Sequence, residues 1–476
     1  MNRLREQRSI LAADTDKKLC LAPALLIAIL TSCSVQPDAI SSLTQSEPIG
    51  EAATVVLSPM SSDAWKAEFS WTTPVTQLDF VRHSDKRRPD RLSVLDDNFE
   101  LFSTDNGDAI RRRDGNTFTY VAIVEPTSIE NPPSGYLPFA RFGDGGLLLH
   151  TGRFHACAGP CPSENGTDKG PWSFTIDGTK DLRTLVNGTL QFGRASFVDA
   201  GDGTKVYIGD GEITQGSNLV AVIDKALPDN VTNQLNQLFP PLMDYFGKHL
   251  GALTETQTLF ASYNFPGDVE GYSIKGGALP RQVFMHFEGK ELPEFSGDAD
   301  FPHFLSWFFA HEAAHQYQRA LPTNYDKAES WIHEGAADAF AYLSLQDLDA
   351  APSAYLTKRL DRARETCARV LADGPLNTIL ERLQPFQTFY DCGILIHLAV
   401  HAAASRRSDS NLFNVWTNFT TRVAQGTPWN TNTYLAVVKD IAGEDIADLV
   451  ESVVTQRLED PAQTLAQLDA KAEHLP

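Results

Sequence analysis

The chain has 476 residues, 42% of them apolar and 21% charged, so it is long enough for two or three domains with substantial cores. Its formal net charge of -21 argues against a nucleic-acid partner and offers no polybasic patch to a membrane surface. No internal repeat or long low-complexity tract is visible.

The amino terminus reads as an export signal. Arg3, Arg5, Arg8, Lys17 and Lys18 precede an apolar run at 19–30, too short for a comfortable membrane span. The run ends in Leu30-Thr31-Ser32-Cys33, which resembles the bacterial lipobox. That resemblance implies a lipoprotein signal peptide at 1–32, a lipid anchor on Cys33 that holds the chain to a membrane, and a flexible polar tether at 33–50. Ser34, where an Asp would signal retention, implies sorting to the outer membrane of a Gram-negative cell, on its periplasmic or surface face. Cys20 leaves with the signal, and Cys157, Cys161, Cys367 and Cys392 remain. An even count in an oxidising compartment suggests two disulfides, with three connectivities open. The favoured set is a local Cys157–Cys161 pair and a helix-to-helix Cys367–Cys392 pair.

Residues 51–225 read as a β-rich domain. Short alternating or apolar runs at 54–57, 117–124, 146–150, 205–208 and 218–223 are separated by Asn106-Gly107, Asp114-Gly115 and Asp202-Gly203. This pattern favours a sandwich or saddle-like sheet. His83, His150 and His155 fall in it and read as structural or surface residues. Leu227-Pro228-Asp229-Asn230 marks a boundary before a helical pattern at 231–249. Strands at 258–264 and 282–287 follow, and Asp300-Phe301-Pro302 has an acidic cap and a first-turn proline for the next helix. Leu321-Pro322 is expected to end that helix, and everything beyond about 351 is helical in pattern. The second part, 226–476, is therefore α+β, and the chain is a multidomain α+β protein.

The chemistry concentrates in the helix after Asp300. His311 and His315 are four apart, so both imidazoles leave one helix face, roughly 6 Å from each other. Two imidazoles so placed can share a zinc ion, with Glu312 beside them as general base. A third ligand must come from another helix. Glu334, 18 intervening residues on, lies in the apolar run 331–340, where Gly335, Ala336 and Ala337 permit close helix approach. Asp338 is on the same face as Glu334 and is placed to accept the free N–H of a ligating histidine. His397 and His401 are also four apart but lack an adjacent Glu, and read as core or cleft residues.

His311-Glu312-Ala313-Ala314-His315 with Glu334 resembles the gluzincin metallopeptidases, in particular the aminopeptidase N and glycyl-aminopeptidase families. Trp331 to Gly335 matches their W-x-x-E-G, Asp338 is closer to the thermolysin form, and Tyr390-Asp391-Cys392-Gly393 matches a Y-x-x-G motif. The resemblance implies one zinc held by His311, His315 and Glu334, Glu312 as base, and Tyr390 as a hydrogen-bond donor to the oxyanion. It also implies a β module before a thermolysin-like α+β catalytic domain with a helical carboxy-terminal part, acting on a peptide or protein substrate. The Cys367–Cys392 pair would then brace the segment that presents Tyr390.

One departure matters. The aminopeptidase N family carries a Gly-x-Met-Glu-Asn strand whose Glu grips the substrate's amine. Here the corresponding residues are Gly276-Gly277-Ala278-Leu279-Pro280. Gly276, Gly277 and Ala278 are the expected substrate-binding strand, but the amine anchor is missing unless Glu270 or Glu288 serves in a shifted alignment. The expectation is an exported, anchored zinc peptidase that is not a strict aminopeptidase. The alternatives are a non-catalytic binding protein on the same scaffold, or a zinc hydrolase of a non-peptide substrate.

Overall fold

The computed structural model describes residues 51–472, apart from 82–87, 105–106, 129–135, 160, 162–170, 217, 265–269, 319–320, 323–324 and 409. The expected signal peptide and tether, with Cys33, and His83 lie outside the described residues. Among those described, no helix is long and apolar enough to cross a membrane.

Residues 51–209 form three β-sheets around one apolar core. The largest has six strands, in which Thr54–Pro59 and Ala64–Val75 pair as a hairpin and Phe118–Pro126 extends it. Alternate residues Val55, Leu57, Ala67 and Phe69 point inward, the period-2 pattern of strands with one buried face. Cys157, on a strand paired on both sides in another of these sheets, is bonded to Cys161.

The remainder is built on a mixed five-stranded sheet: β1 (Thr214–Gln215), β2 (Leu219–Ile223), β3 (Gln257–Asn264), β4 (Ser273–Leu279) and β5 (Gln282–Glu288). The spatial order is β1-β2-β3-β5-β4, so β4 is an edge strand with a single neighbour. β2 and β3 are parallel and are joined by the long helix α1 (Asp229–Leu250), because parallel neighbours need a crossover. The strand at 219–223, assigned from the sequence to the β-rich region, thus pairs within this second sheet, which starts ahead of the expected boundary at 225.

Both faces of the sheet are covered, which is why β3 and β5 read as nearly continuous apolar runs. Leu259, Ala261, Ile274, Val283, Met285 and Phe287 face the helices. Their alternates Val220, Val222, Phe260, Leu279 and Phe284 pack against Leu148, Leu185 and Tyr207 of the amino-terminal domain. The sheet is therefore the wall between the two halves.

The helical layer comprises α2 (Phe301–His315), α3 (Ser330–Asp347), α4 (Ser353–Leu371), α5 (Gln387–Ser408), α6 (Leu412–Ala424), α7 (Thr431–Ile441), α8 (Glu444–Thr455) and α9 (Pro461–Ala472). Two details of α2 differ from expectation. Asp300 makes no side-chain cap, because its carboxylate pairs with Lys358 of α4 at 2.8 Å. The helix also ends at His315, well before Leu321, because residues 316–318 turn back with Gln316, Tyr317 and Gln318 N–H groups bonded to carbonyls only three residues behind.

α3 and α5 cross at two glycines. A Cβ on Gly335 would fall inside van der Waals contact of the Gly393 Cα, and one on Gly393 would sit 2.8 Å from the Trp331 carbonyl oxygen. Gly335 thus admits the helix of Tyr390. Cys367 of α4 is bonded to Cys392 beside this crossing. Helix propensity alone makes Gly335→Ala and Gly393→Ala stabilising by about 1 kcal/mol. Backbone overlap predicts the opposite sign, a loss of roughly 1–3 kcal/mol in each. Thermal and denaturant unfolding decide between them, and a stabilised alanine variant would show that the crossing tolerates a Cβ.

Candidate metal centre

α2 presents His311 and His315 one turn apart, and α3 brings Glu334 opposite them. Nε2 of His315 lies 3.0 Å from Nε2 of His311. Glu334 Oε2 lies 3.3 Å from the first Nε2 and 3.4 Å from the second. The other ring nitrogens settle the tautomers. His311 Nδ1–H donates to Asp338 Oδ1 at 2.9 Å, and His315 Nδ1–H donates to Gln318 Oε1 at 2.7 Å. Gln318 is itself oriented by its amide N–H bond to the His333 carbonyl at 2.6 Å. With both protons on Nδ1, both Nε2 lone pairs point into the same small space as a carboxylate oxygen. Glu334 Oε2 is buried and makes no hydrogen bond.

Three acceptor atoms so arranged repel one another unless a cation lies between them. Ligands at about 2.0–2.1 Å from a tetrahedral zinc are separated by about 3.3–3.4 Å, close to the three distances found. The two-imidazole, one-carboxylate donor set also suits zinc and leaves a coordination position open. Among the described residues, these three form the group of His, Cys, Asp and Glu that could hold a metal ion.

The surroundings reinforce the preference for positive charge. Burial pushes the His311 imidazolium down, but Asp338 and Glu334 outweigh it and raise its pKa to about 10. Burial pushes the Glu334 carboxyl up, but the adjoining imidazoles, His333 first, hold it well below the carboxylate range. Glu312, one residue past the first ligand, is pushed up by burial. The Tyr390 ring lies 5.4 Å from that of His311. Burial and the charges of Glu334, Glu312 and Asp338 hold its hydroxyl well above the usual tyrosine range, so it is a proton donor at neutral pH.

A second ring of contacts holds these groups. Asp338 also accepts from Trp307 Nε1 at 3.0 Å, and Arg359 of α4 lies 3.9 Å over the Trp307 ring and 3.9 Å from Asp338 Oδ2. Asp391, next to Tyr390, is raised to about 7 by burial and then by the charge of Asp338, with Arg359 opposing. His333 Nε2 lies 3.3 Å from Glu334 Oε1. Sequence reading missed Gln318, Trp307, Arg359, His333 and Asp391. Trp307 and Gln318 had a helical signal, lying four residues before one ligand and three after the other. Arg359 had none, because only the packing of α4 brings it here.

His397 and His401 belong elsewhere. His397 is fully buried, donates from Nε2 to the Ile332 carbonyl at 3.0 Å, and accepts from the Tyr434 hydroxyl at 2.7 Å. Burial lowers its pKa to about 4. His401 Nδ1 accepts the Leu412 N–H at 3.3 Å. His155 stacks on Trp172 and pairs with Asp199, while His150 contacts the Asp202 carbonyl, and neither belongs to the group that could hold a metal.

Gly276, Gly277 and Ala278 lie on the edge strand β4 beside α2. Phe308 of α2 packs where a Cβ on Gly276 would be, and Gln316 Nε2 donates to the carbonyls of Leu279 and Gln282 at 3.1 and 2.9 Å. Leu279 is buried against the amino-terminal domain, and Pro280 is exposed in the hairpin turn. Neither alternative acid is free: Glu270 pairs with Lys290, and Glu288 with Lys275 and Ser273, each at the far end of the strand from Leu279.

No protein-family sequence model matches the chain, and no curated protein matches it. Solved structures do. An aminopeptidase N family protein from Idiomarina loihiensis superposes with a TM-score of 0.61 at 13% identity, over 87% of this chain and 78% of that one. Yeast LTA4 hydrolase in complex with bestatin superposes with a TM-score of 0.52 at 11% identity, over 87% and 68%. The α+β multidomain fold of this chain is thus that of these proteins.

Proposed function

We propose that this chain is a zinc-dependent peptide hydrolase. The observation that carries the reading is the triangle of His311 Nε2, His315 Nε2 and Glu334 Oε2, within 3.4 Å of one another. When bound, zinc polarises a scissile carbonyl and acidifies water. The remaining work belongs to the protein. Glu312 takes a proton on its carboxylate and returns it to the leaving amine, a role helped by the upward push of burial on its pKa. Tyr390, kept protonated, donates a hydrogen bond to the developing oxyanion. Asp338 and Gln318 fix the histidine tautomers, which keeps the Nε2 lone pairs available.

A strict aminopeptidase needs a carboxylate for the substrate's ammonium, a charge-assisted contact worth roughly 1.5–3 kcal/mol. Leu279 lies in the core where that anchor is expected, and Glu270 and Glu288 are engaged with lysines. The reading is therefore a peptidase without a strong requirement for a free amino terminus. The amino-terminal sequence supports export and anchoring in a membrane through lipid on Cys33.

Matched fluorogenic peptides, free and amino-acetylated, test the chemistry. Acetylation should change kcat/KM by less than about tenfold. Glu312→Gln should keep its metal and fold yet lose nearly all turnover, and Tyr390→Phe should lower kcat about 10²-fold with little change in KM. Native turnover in Glu312→Gln would remove the base assigned here, and rapid cleavage of the free peptides alone would restore an aminopeptidase. For the anchor, wild-type protein should partition into detergent with membranes and Cys33→Ala should not. An unmodified Cys33 by mass spectrometry would refute lipidation.

A further inference from the structure

The edge strand β4 is gripped from both sides at adjacent glycines. A Cβ on Gly276 would meet the Phe308 ring of α2, and one on Gly277 would lie 2.8 Å from the hydroxyl of Tyr136, which comes from the amino-terminal domain. Tyr136 is held edge-on against Phe284, and its hydroxyl donates to the Ala278 carbonyl at 3.0 Å. Since β4 has one strand neighbour, β5, the outward-facing groups alternate along it, and a carbonyl taken by Tyr136 cannot also pair with a bound peptide.

The level of this cap relative to the metal centre follows from contacts along α2. Gly276 lies beside Phe308, and Leu279 is bonded to Gln316. The helix covers about 12 Å between its two contacts, and the strand about 10 Å, so they run side by side in one direction. His311 and Glu312 then lie abreast of Gly277 and Ala278. Tyr136, bonded at Ala278, stands just past His311 on the Leu279 side.

Resting on the peptide-hydrolase reading, we propose that Tyr136 determines specificity. It closes the strand edge at Ala278, so a bound peptide pairs with Gly276 and cannot run on toward Leu279. A peptide antiparallel to β4, the stronger pairing, directs its amino-terminal side to the closed end. The substrates are therefore short peptides with about one or two residues before the scissile bond, measured by a stop and not by a charge.

Binding to zinc-loaded Glu312→Gln protein, read by fluorescence anisotropy, separates this proposal from the activity. Two peptide series are used, one lengthened on the amino side of the cleavage site and one on the carboxyl side. The Kd should rise at least tenfold when the amino side passes about two residues, and stay within threefold along the carboxyl series. Adding Tyr136→Ala should abolish the amino-side penalty at equal zinc content. Tyr136→Phe, which keeps the packing on Gly277 and Phe284, should recover at least threefold by freeing the carbonyl. An amino-side penalty unchanged in both variants, or a penalty on the carboxyl side alone, would overturn the role of Tyr136 and leave the hydrolase reading intact. Failure of every peptide to bind would overturn both.

Discussion

Two histidine nitrogens and one carboxylate oxygen are held within 3.4 Å of one another in a largely buried space. Such an arrangement is unfavourable without a positive charge at its centre, because desolvated acceptors repel and cannot satisfy each other. Much of the surrounding architecture acts to maintain it. Asp338 and Gln318 prevent the imidazoles from turning, Trp307 and Arg359 steady Asp338, and the Gly335–Gly393 crossing seats the Tyr390 helix against the helix of Glu334. The Cys367–Cys392 bond ties that same helix to the one carrying Arg359.

The mixed sheet has a double role. One face carries α2 and its histidines through an apolar layer, and the other seats the amino-terminal domain. Its edge strand β4 runs beside the metal-site helix, and Tyr136 of the amino-terminal domain is bonded to that strand. Glycine at 276 and 277 is what allows both neighbours to approach the strand backbone. A larger residue at either position would push Phe308 or Tyr136 away from the strand.

The centre was readable in the sequence because its geometry is mostly local. The helical period alone puts His311 and His315 on one face with Glu312 beside them, and Glu334 needs only a second apolar helix to reach them. The α+β class was readable from the change of period near Pro228. What was not readable depends on packing between distant segments. Lys358 draws Asp300 away from the helix cap, α4 delivers Arg359, and the parallel pairing of Leu219–Ile223 with Gln257–Asn264 moves a strand from one half to the other. The two glycines of the α3–α5 crossing could be seen as small residues, but their partners could not, because each glycine is complementary to a backbone far away in sequence.

The central claim is that a metal ion completes this site. Anomalous diffraction recorded on both sides of the zinc absorption edge, from crystals of the purified mature protein, tests it most directly. One peak per chain is expected, about 2.0–2.2 Å from His311 Nε2, His315 Nε2 and Glu334 Oε2. A site with no anomalous peak and with its histidines paired to the carboxylates as imidazolium ions, or a zinc peak held by other residues, would contradict it.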